Sequence, residues 1–237
     1  MKILALECSA TPASVAIIND SKVLASAFTN VTLTHSQTLM PMVENLCKAS
    51  KTDIKDIEGF AISNGPGSFT GIRIGISAVK GLAAAKKVPC VAVSSLRAMA
   101  ENYSDTDCII CAVMDARCNQ VYNAIFDIED GNITRLCDDR ALICDVLAKE
   151  IKKLSQNSKK CVIIVGDGSD IFYHYVEDIH NIKKAHPIRQ YQNAVGVGFA
   201  SLEKFNKNDT LSPQELLPFY LRLPQAEREL KAKEKEK

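Results

Sequence analysis

Short apolar runs separated by polar turns at the start of the chain predict an antiparallel β-meander. The runs from Ile3 to Leu6, Ser14 to Ile18 and Val23 to Phe28 have the length of strands. A polar turn over residues 19–22 separates the last two runs. Closely spaced strands with short turns pair with their neighbours, so we expect the chain to open with three antiparallel strands.

A helix is predicted to follow the meander. Thr34 and Gln37 have the spacing of a capping box, which marks the start of a helix. The apolar positions that follow recur at helical spacing: Leu39, Val43, Leu46 and Cys47. Pro41 interrupts this stripe, so we expect it to kink the helix or to shift its start.

A second helix follows a glycine turn and has an unusually flat face. A predicted strand from Gly59 to Ser63 leads into the turn at residues 65–67. Small and apolar residues then share one helical face: Gly71, Gly75, Ala78, Leu82 and Ala85. An interior glycine costs a helix about 1 kcal/mol relative to alanine. Close approach by the chain's own sheet, by a ligand or by a partner protein offsets such a cost.

The same alternation of strands and helices repeats in the second half of the chain. Strands are predicted at residues 89–93, 109–114, 121–128, 133–136 and 162–165, and helices at residues 95–103, 141–154 and 194–205. We therefore expect two α/β subdomains, over residues 1–103 and 104–224, with the helix at 194–205 packing back on the first. Residues 225–237 form a charged tail, typical of a solvated helix or a disordered segment.

Composition and charge exclude several classes of protein. The chain has 237 residues, 46% of them hydrophobic, and a net charge of +1. A length of this order buries a large core, and the absence of a basic cluster disfavours autonomous binding of nucleic acid. No apolar run reaches about 18 residues, so no membrane span is expected. Glu7 precedes any run of signal-peptide length, and nine cysteines without an export signal favour the cytoplasm.

Two local patterns look like chemical sites but have simpler interpretations. Cys108 and Cys111 form a CxxC pair inside a predicted buried strand, where thiols act as small hydrophobic groups. The histidines of the chain offer no pair at a spacing of four. No Walker A loop occurs, and Thr70 breaks the dinucleotide fingerprint that Gly65 and Gly67 begin. No cysteine or serine has a recognisable base beside it in sequence.

The run GPGSFTGIRIG, from Gly65 to Gly75, closely resembles the hallmark of the TsaB (YeaZ) family, which serves threonylcarbamoyladenosine synthesis in tRNA. Further matches lie at residues 6–9, 81–83, 114–117, 166–168 and 218–222. The resemblance implies an α/β actin-like (ASKHA, Hsp70-like) fold with two RNase H-like subdomains. Glu7, Cys118 and Gln120 depart from the residues usual in the family. Cys118 and Gln120 are uncharged, so the resemblance implies no charged role for these two positions after Arg117.

The resemblance also implies that the chain is not itself the transferase. In TsaD, the larger relative that carries the chemistry, two histidines four residues apart hold a metal ion. Ser95 and Met99 stand in the matching positions here. A serine and a thioether do not hold the iron or zinc expected there. We therefore expect no catalytic residue and no metal site in this chain, with the metal bound by the partner.

A nucleotide site is the next candidate that the fold implies. Phosphates in actin-like proteins lie between the domains, which points to Ser9 and Thr11 in the first hairpin and to Gly166 and Gly168 in the second domain. Asp167 lies within that glycine loop, and its charge would repel phosphate. ATP is therefore a weak candidate, and no other cofactor is expected.

The family resemblance implies that two helices, at residues 34–49 and 68–86, bind TsaD. We expect the interface to contain Leu39, Val43, Leu46, Gly71, Gly75, Ala78 and Leu82. Leucine at Gly75 should then block binding without unfolding the chain. The predicted protein is an accessory subunit that supports TsaD, helps to recruit the ATPase TsaE, meets tRNA through the complex, and forms a homodimer when alone. The alternatives are a glycoprotease-like metallopeptidase acting on a partner protein and a nucleotide-binding sensor.

Overall fold

Two β-sheets with the same strand order organise the computed structural model, which describes residues 1–20 and 22–222. The first sheet has the order β3-β2-β1-β4-β5. Its strands are β1 (Lys2–Glu7), β2 (Ala13–Asn19), β3 (Lys22–Thr29), β4 (Gly59–Gly65) and β5 (Cys90–Ser94). The first three strands pair antiparallel, as the meander predicts, and β4 and β5 continue the sheet in parallel.

The second sheet repeats this arrangement. Its order is β11-β10-β6-β7-β8, and β9 also pairs with β7. Its strands are β6 (Cys108–Asp115), β7 (Gln120–Glu129), β8 (Asn132–Arg135), β9 (Arg140–Ile143), β10 (Val162–Val165) and β11 (Ile182–Lys184). The hairpin of β6 and β7 is antiparallel and β10 joins β6 in parallel, so both halves have the topology of an actin-like subdomain.

The helices cover the sheets. They are α1 (His35–Ser50), α2 (Phe69–Lys86), α3 (Ser95–Glu101), α4 (Cys144–Asn157), α5 (Ser169–Phe172), α6 (Pro187–Gln190) and α7 (Ala194–Asn206). Side chains of β1 alternate between the two faces of the first sheet. Leu4 and Leu6 pack towards α1 and α2, whereas Ile3 and Ala5 pack towards α7. Helix α7 therefore lies on the first sheet although it follows the second one in sequence.

Two local predictions about helices need correction. Thr34 is the N-cap of α1, as predicted, but its side chain makes no capping bond; the helix begins at His35 and contains Pro41, so Pro41 does not shift its start. The predicted helix at residues 141–154 begins only at Cys144, because residues 140–143 pair with β7 as β9. Pairing with a neighbouring strand here overrides the helical pattern of the sequence.

The part of the chain that the structure describes contains no helix long and apolar enough to cross a membrane. The charged tail at residues 225–237 and Ser21, in the predicted turn, lie outside the described residues.

Candidate functional site

The flat face of α2 is turned towards the chain's own sheet at its two central glycines. A Cβ atom at Gly71 would lie 2.1 Å from the carbonyl oxygen of Cys8, and one at Gly75 would lie 2.4 Å from the Cys8 Sγ. Both distances are below any real Cβ contact, so glycine is required for α2 to approach β1. The expectation that Gly71 and Gly75 face a partner is therefore wrong.

The apolar stripe of α1 is also internal. Leu39, Val43 and Leu46 are all at least 95% buried and belong to the core between the helices and the first sheet. Helix α1 needs this stripe to cover the sheet, which leaves none of the three residues for a partner. Their assignment to an interface is wrong for this reason.

A flank of these two helices, beside their buried stripes, is the surface that remains open. Met40 is 41% exposed, Ala78 and Leu82 are half-buried, and a Cβ at Gly81 would meet no atom within 4 Å. A groove of about 790 Å³ runs between the helices and is lined by Met40, Pro41 and Leu82 among others. We call the surface formed by Met40, Pro41, Ala78, Gly81 and Leu82 the α1–α2 face. Of the residues predicted for the interface, Ala78 and Leu82 belong to this face. Helical periodicity alone did not indicate which face of α2 turns outwards.

A cleft of about 770 Å³ lies between the two domains. Ser9 and Thr11 line it from the first hairpin, and Asp115, Arg117 and Asp167 line it from the second domain. The Arg117 backbone N–H donates to Asp115 Oδ1 at 2.7 Å, and the Arg117 guanidinium lies 3.2 Å from Oδ2. These two residues therefore pair with each other at the wall of the cleft.

The two glycines of the predicted phosphate loop do not line this cleft. A Cβ at Gly166 would lie 2.0 Å from the carbonyl oxygen of Val113, and one at Gly168 would lie 2.9 Å from the carbonyl carbon of Met114. Close packing against the end of β6 explains both glycines. The Gly166 N–H donates to the carbonyl oxygen of Gln190 and the Gly168 N–H to that of Val113, so neither is available as a phosphate ligand, whereas Ser9 and Thr11 line the cleft.

Asp167 gives the cleft an electrostatic character that disfavours phosphate. Burial raises the pKa of Asp167 to about 6, a bond from Gln192 Nε2 to its carboxylate opposes that rise, and the charge of Asp115 adds to it. At neutral pH this half-buried carboxylate is ionised. Since the Asp115 carboxylate is paired with Arg117, Asp167 is the group in this wall whose negative charge opposes a phosphate.

Asp167→Asn is expected to stabilise the protein at pH 7 by about 2–3 kcal/mol, because about two pKa units of unfavourable ionisation are removed. Asparagine keeps an oxygen that accepts from Gln192. In the native protein this group lowers the free energy of unfolding as the pH rises from about 4 to about 6, since the folded state holds the proton more tightly.

Urea unfolding of the wild type and the variant at pH 4 and pH 7 measures the effect. The two proteins should agree at pH 4 and differ at pH 7. Asp178→Asn is the control, because Asp178 is exposed. Equal stability of the wild type and Asp167→Asn at both pH values would contradict the buried charge.

A buried polar group supports the hairpin that lines the cleft. Glu7 has no exposed surface, and the Ser9 backbone N–H donates to its Oε1 at 2.6 Å. Burial raises the pKa of Glu7, and the hydroxyls of Ser63 and Ser9 partly oppose the rise. His35 Nε2 lies 2.7 Å from the carbonyl oxygen of Ala10, which places a proton on that nitrogen. These contacts fix the turn between β1 and β2, and Glu7 does not itself reach the cleft.

Ser95 and Met99, the two positions that the family resemblance singled out, are packed inside the molecule. Ser95 and Met99 lie on α3 and are at most 1% exposed. The Met99 sulfur packs 3.0 Å from the position of a Cβ at Gly166. Within residues 1–20 and 22–222, no group of three or more histidine, cysteine or acidic side chains could hold a metal ion. Cys108 and Cys111 are buried free thiols, as their strand predicts.

The fold places the chain in the class of two-domain actin-like proteins. Its structure is similar to "YeaZ from Pseudomonas aeruginosa", with a TM-score of 0.77, 24% identity and coverage of 93% of this chain and 99% of that one. Component A of the (R)-2-hydroxyglutaryl-CoA dehydratase of Acidaminococcus fermentans shares the fold at a TM-score of 0.51 and 12% identity, over 88% of this chain and 99% of that one. The model of the family described as "TsaD: tRNA N6-adenosine threonylcarbamoyltransferase" matches residues 23–230.

Relatives in sequence identify the family within this class. The chain is 29% identical to the tRNA threonylcarbamoyladenosine biosynthesis protein TsaB of Bacillus subtilis over 96% of both chains. It is 37% identical to TsaB of Escherichia coli over 56% of this chain and 58% of the relative. TsaB of Buchnera aphidicola subsp. Schizaphis graminum is 30% identical over 70% of this chain and 78% of its own length. Within this class of actin-like proteins, the chain belongs to the TsaB family and takes part in tRNA threonylcarbamoyladenosine biosynthesis.

Proposed function

We propose that this chain is a non-catalytic subunit that docks on the TsaD transferase through the α1–α2 face and supports its reaction. That reaction transfers a threonylcarbamoyl group to adenosine 37 of tRNA. The observation that carries the proposal is the open α1–α2 face, where Met40 is exposed beside Leu82 and a Cβ at Gly81 would meet no atom within 4 Å. The TsaB relatives supply the pathway in which the partner acts.

The chemistry of the face fits a stable protein interface. Met40 and Leu82 offer apolar contact at its centre, and Gly81 lets a partner helix approach the backbone of α2. The exposed Glu44–Lys48 pair lies at its edge and supplies a polar rim. A stable interface buries more than about 1,000 Å² in total. The same surface closes a homodimer when the transferase is absent, because a large exposed apolar patch associates readily.

The packing of α3 supports a non-catalytic role. Ser95 and Met99 are buried on α3, at the positions where the family resemblance implies two histidines in TsaD, and in this proposal the transferase holds the metal. In this proposal the subunit stabilises a competent shape of its partner and presents a surface to the ATPase TsaE. The tRNA reaches this chain only through the complex.

A nucleotide-binding sensor is the second candidate, since Ser9 and Thr11 line an open cleft between the domains. Asp167 weighs against it, because its carboxylate faces the same cleft.

Reconstituted modification of tRNA tests the proposed function. Purified TsaD from the same genome receives tRNA and the threonylcarbamoyl-adenylate, with and without this chain. We expect product to form several times faster with the chain, and Met40→Glu to remove the increase because it places a charge in an apolar interface. Ile188→Glu is the matched control, since Ile188 is exposed on the second domain.

Two results would contradict the proposal. The first is product formed by this chain without TsaD, which would make the chain catalytic. The second is an identical rate of TsaD with and without the chain.

A further inference from the structure

The C-terminal segment of the described chain crosses from the first domain to the second. Leu211 pairs with Cys90 at the edge of the first sheet through two backbone bonds of 2.8 Å. The buried Leu216 then packs in the core beneath α1 and α2. The Phe219 N–H donates to the carbonyl oxygen of Asn64 at 2.8 Å, at the end of β4. We call residues 211–222 the strap.

The strap holds the first turn of α2 through Tyr220. The Tyr220 ring stacks on Phe69 with 4.3 Å between the ring centroids and an angle of 20°. Arg73 Nε donates to the Tyr220 hydroxyl at 2.8 Å, and the guanidinium lies 5.6 Å from the ring centroid. Arg73 lies on α2, the helix that contributes to the α1–α2 face.

The next two residues reach the second domain. Leu221 packs against the core of that domain. The Arg222 guanidinium donates to the carbonyl oxygen of Ala116, in the turn between β6 and β7. Arg117 in that turn and Asp115, the last residue of β6, lie at the wall of the cleft, so three consecutive residues connect α2 to the cleft.

The backbone of the β6–β7 turn adopts a costly conformation that its contacts hold in place. Arg117, Cys118 and Asn119 all have positive φ angles, of 66°, 53° and 56°. Such conformations cost free energy in residues other than glycine, and the surrounding contacts hold them in place. Arg222 supplies one of these contacts from outside the second domain.

We propose that the strap couples the α1–α2 face to the wall of the cleft, so that docking on α2 and the conformation of the β6–β7 turn are one linked equilibrium. This inference rests on the proposed function for the identity of the docked partner. A ligand or partner that prefers one position of α2 then shifts the β6–β7 turn, and a group that binds the cleft changes docking by the same factor. The route is a chain of direct contacts: Arg73 to Tyr220, Leu221 to the second core, and Arg222 to Ala116.

Amide hydrogen exchange of the isolated chain tests the coupling without any partner. Tyr220→Phe removes only the bond to Arg73, and we expect it to raise exchange at residues 116–120 in the other domain by about fivefold. Arg222→Ala removes the contact to Ala116, and we expect it to raise exchange at Ile72 in α2 by a similar factor. Lys207→Ala is the control, since it breaks an exposed ion pair with Glu203 at the C-terminal end of α7, outside the strap.

Faster amide exchange confined to the element that the substituted side chain contacts would overturn the coupling. If Tyr220→Phe alters only α2 and Arg222→Ala alters only the β6–β7 turn, the strap holds the two elements independently. A binding measurement then adds the partner: Arg222→Ala should weaken docking on TsaD about fivefold although Arg222 lies off the docking face, and unchanged affinity would overturn the proposal. Absence of docking by the wild type would instead refute the proposed function, and the exchange results would still decide the strap.

Discussion

Gly81→Leu is expected to weaken docking on the transferase by at least a hundredfold while leaving the fold intact. A Cβ at residue 81 meets no atom within 4 Å and the residue is exposed, so we expect leucine to be accommodated in the free protein. Leucine also has a higher helix propensity than glycine, which favours α2 by about 1 kcal/mol. In the docked state the same side chain occupies the space that the partner helix needs, and the two backbones are forced apart.

Titration calorimetry with TsaD and thermal unfolding of the free chain measure the two effects. Gly81→Ala is the matched control, because one methyl group intrudes much less and its Tm should rise slightly. Unchanged affinity of Gly81→Leu would remove α2 from the interface. A lower Tm of the free variant would show that residue 81 is not open.

Gly75→Leu is expected to unfold the protein or to lower its free energy of unfolding by more than about 4 kcal/mol. A Cβ alone at residue 75 would lie 2.4 Å from Cys8 Sγ and 2.9 Å from Ile62 Cδ1, and both residues are fully buried. Overpacking of a core costs typically 1–3 kcal/mol per inserted group, and leucine adds three further carbon atoms. This expectation replaces the sequence-based one, in which leucine at Gly75 blocks a partner and spares the fold.

Urea unfolding and a double-mutant cycle test the cause. Gly75→Ala should cost less in a Cys8→Ala background than in the wild type, because the closest atom has been removed. Additive effects of the two substitutions would show that Cys8 does not limit the approach of α2 to β1. A folded Gly75→Leu protein with the urea midpoint of the wild type would refute the packing of α2 described above.

Residue patterns predicted the elements of this fold better than their orientation. The meander, the strands β4, β5, β6, β7 and β10, and helix α7 follow from apolar runs and helical spacing. Helical spacing also showed that Gly71, Gly75 and Ala78 share a face. It contains no information about whether that face meets a sheet or solvent, since close approach by either explains a glycine. The structure decides this through the 2.1 Å separation between a Cβ at Gly71 and the oxygen of Cys8.

For the candidate site residues too, the fold predicted their location better than the local sequence pattern did. Ser9 and Thr11 lie at the cleft because the topology of the fold brings the first hairpin there. Gly166 and Gly168 carry the glycine pattern of a phosphate loop, but the pattern serves close packing on β6. The contacts of Tyr220 and Arg222 depend on residues more than 100 positions away, Arg73 and Ala116, and no local pattern predicts them. Distant pairing of this kind follows from the tertiary structure alone.

Light scattering on a sizing column tests the central claim most directly. The wild-type chain is run alone, then mixed with TsaD from the same genome, and the Gly81→Leu variant is run in the same two ways. We predict a homodimer of the wild type alone that converts to a heteromer on mixing, and a variant that forms neither. A wild-type monomer that elutes unchanged in the presence of TsaD would contradict the account, because the α1–α2 face would then bind neither a second copy nor the transferase.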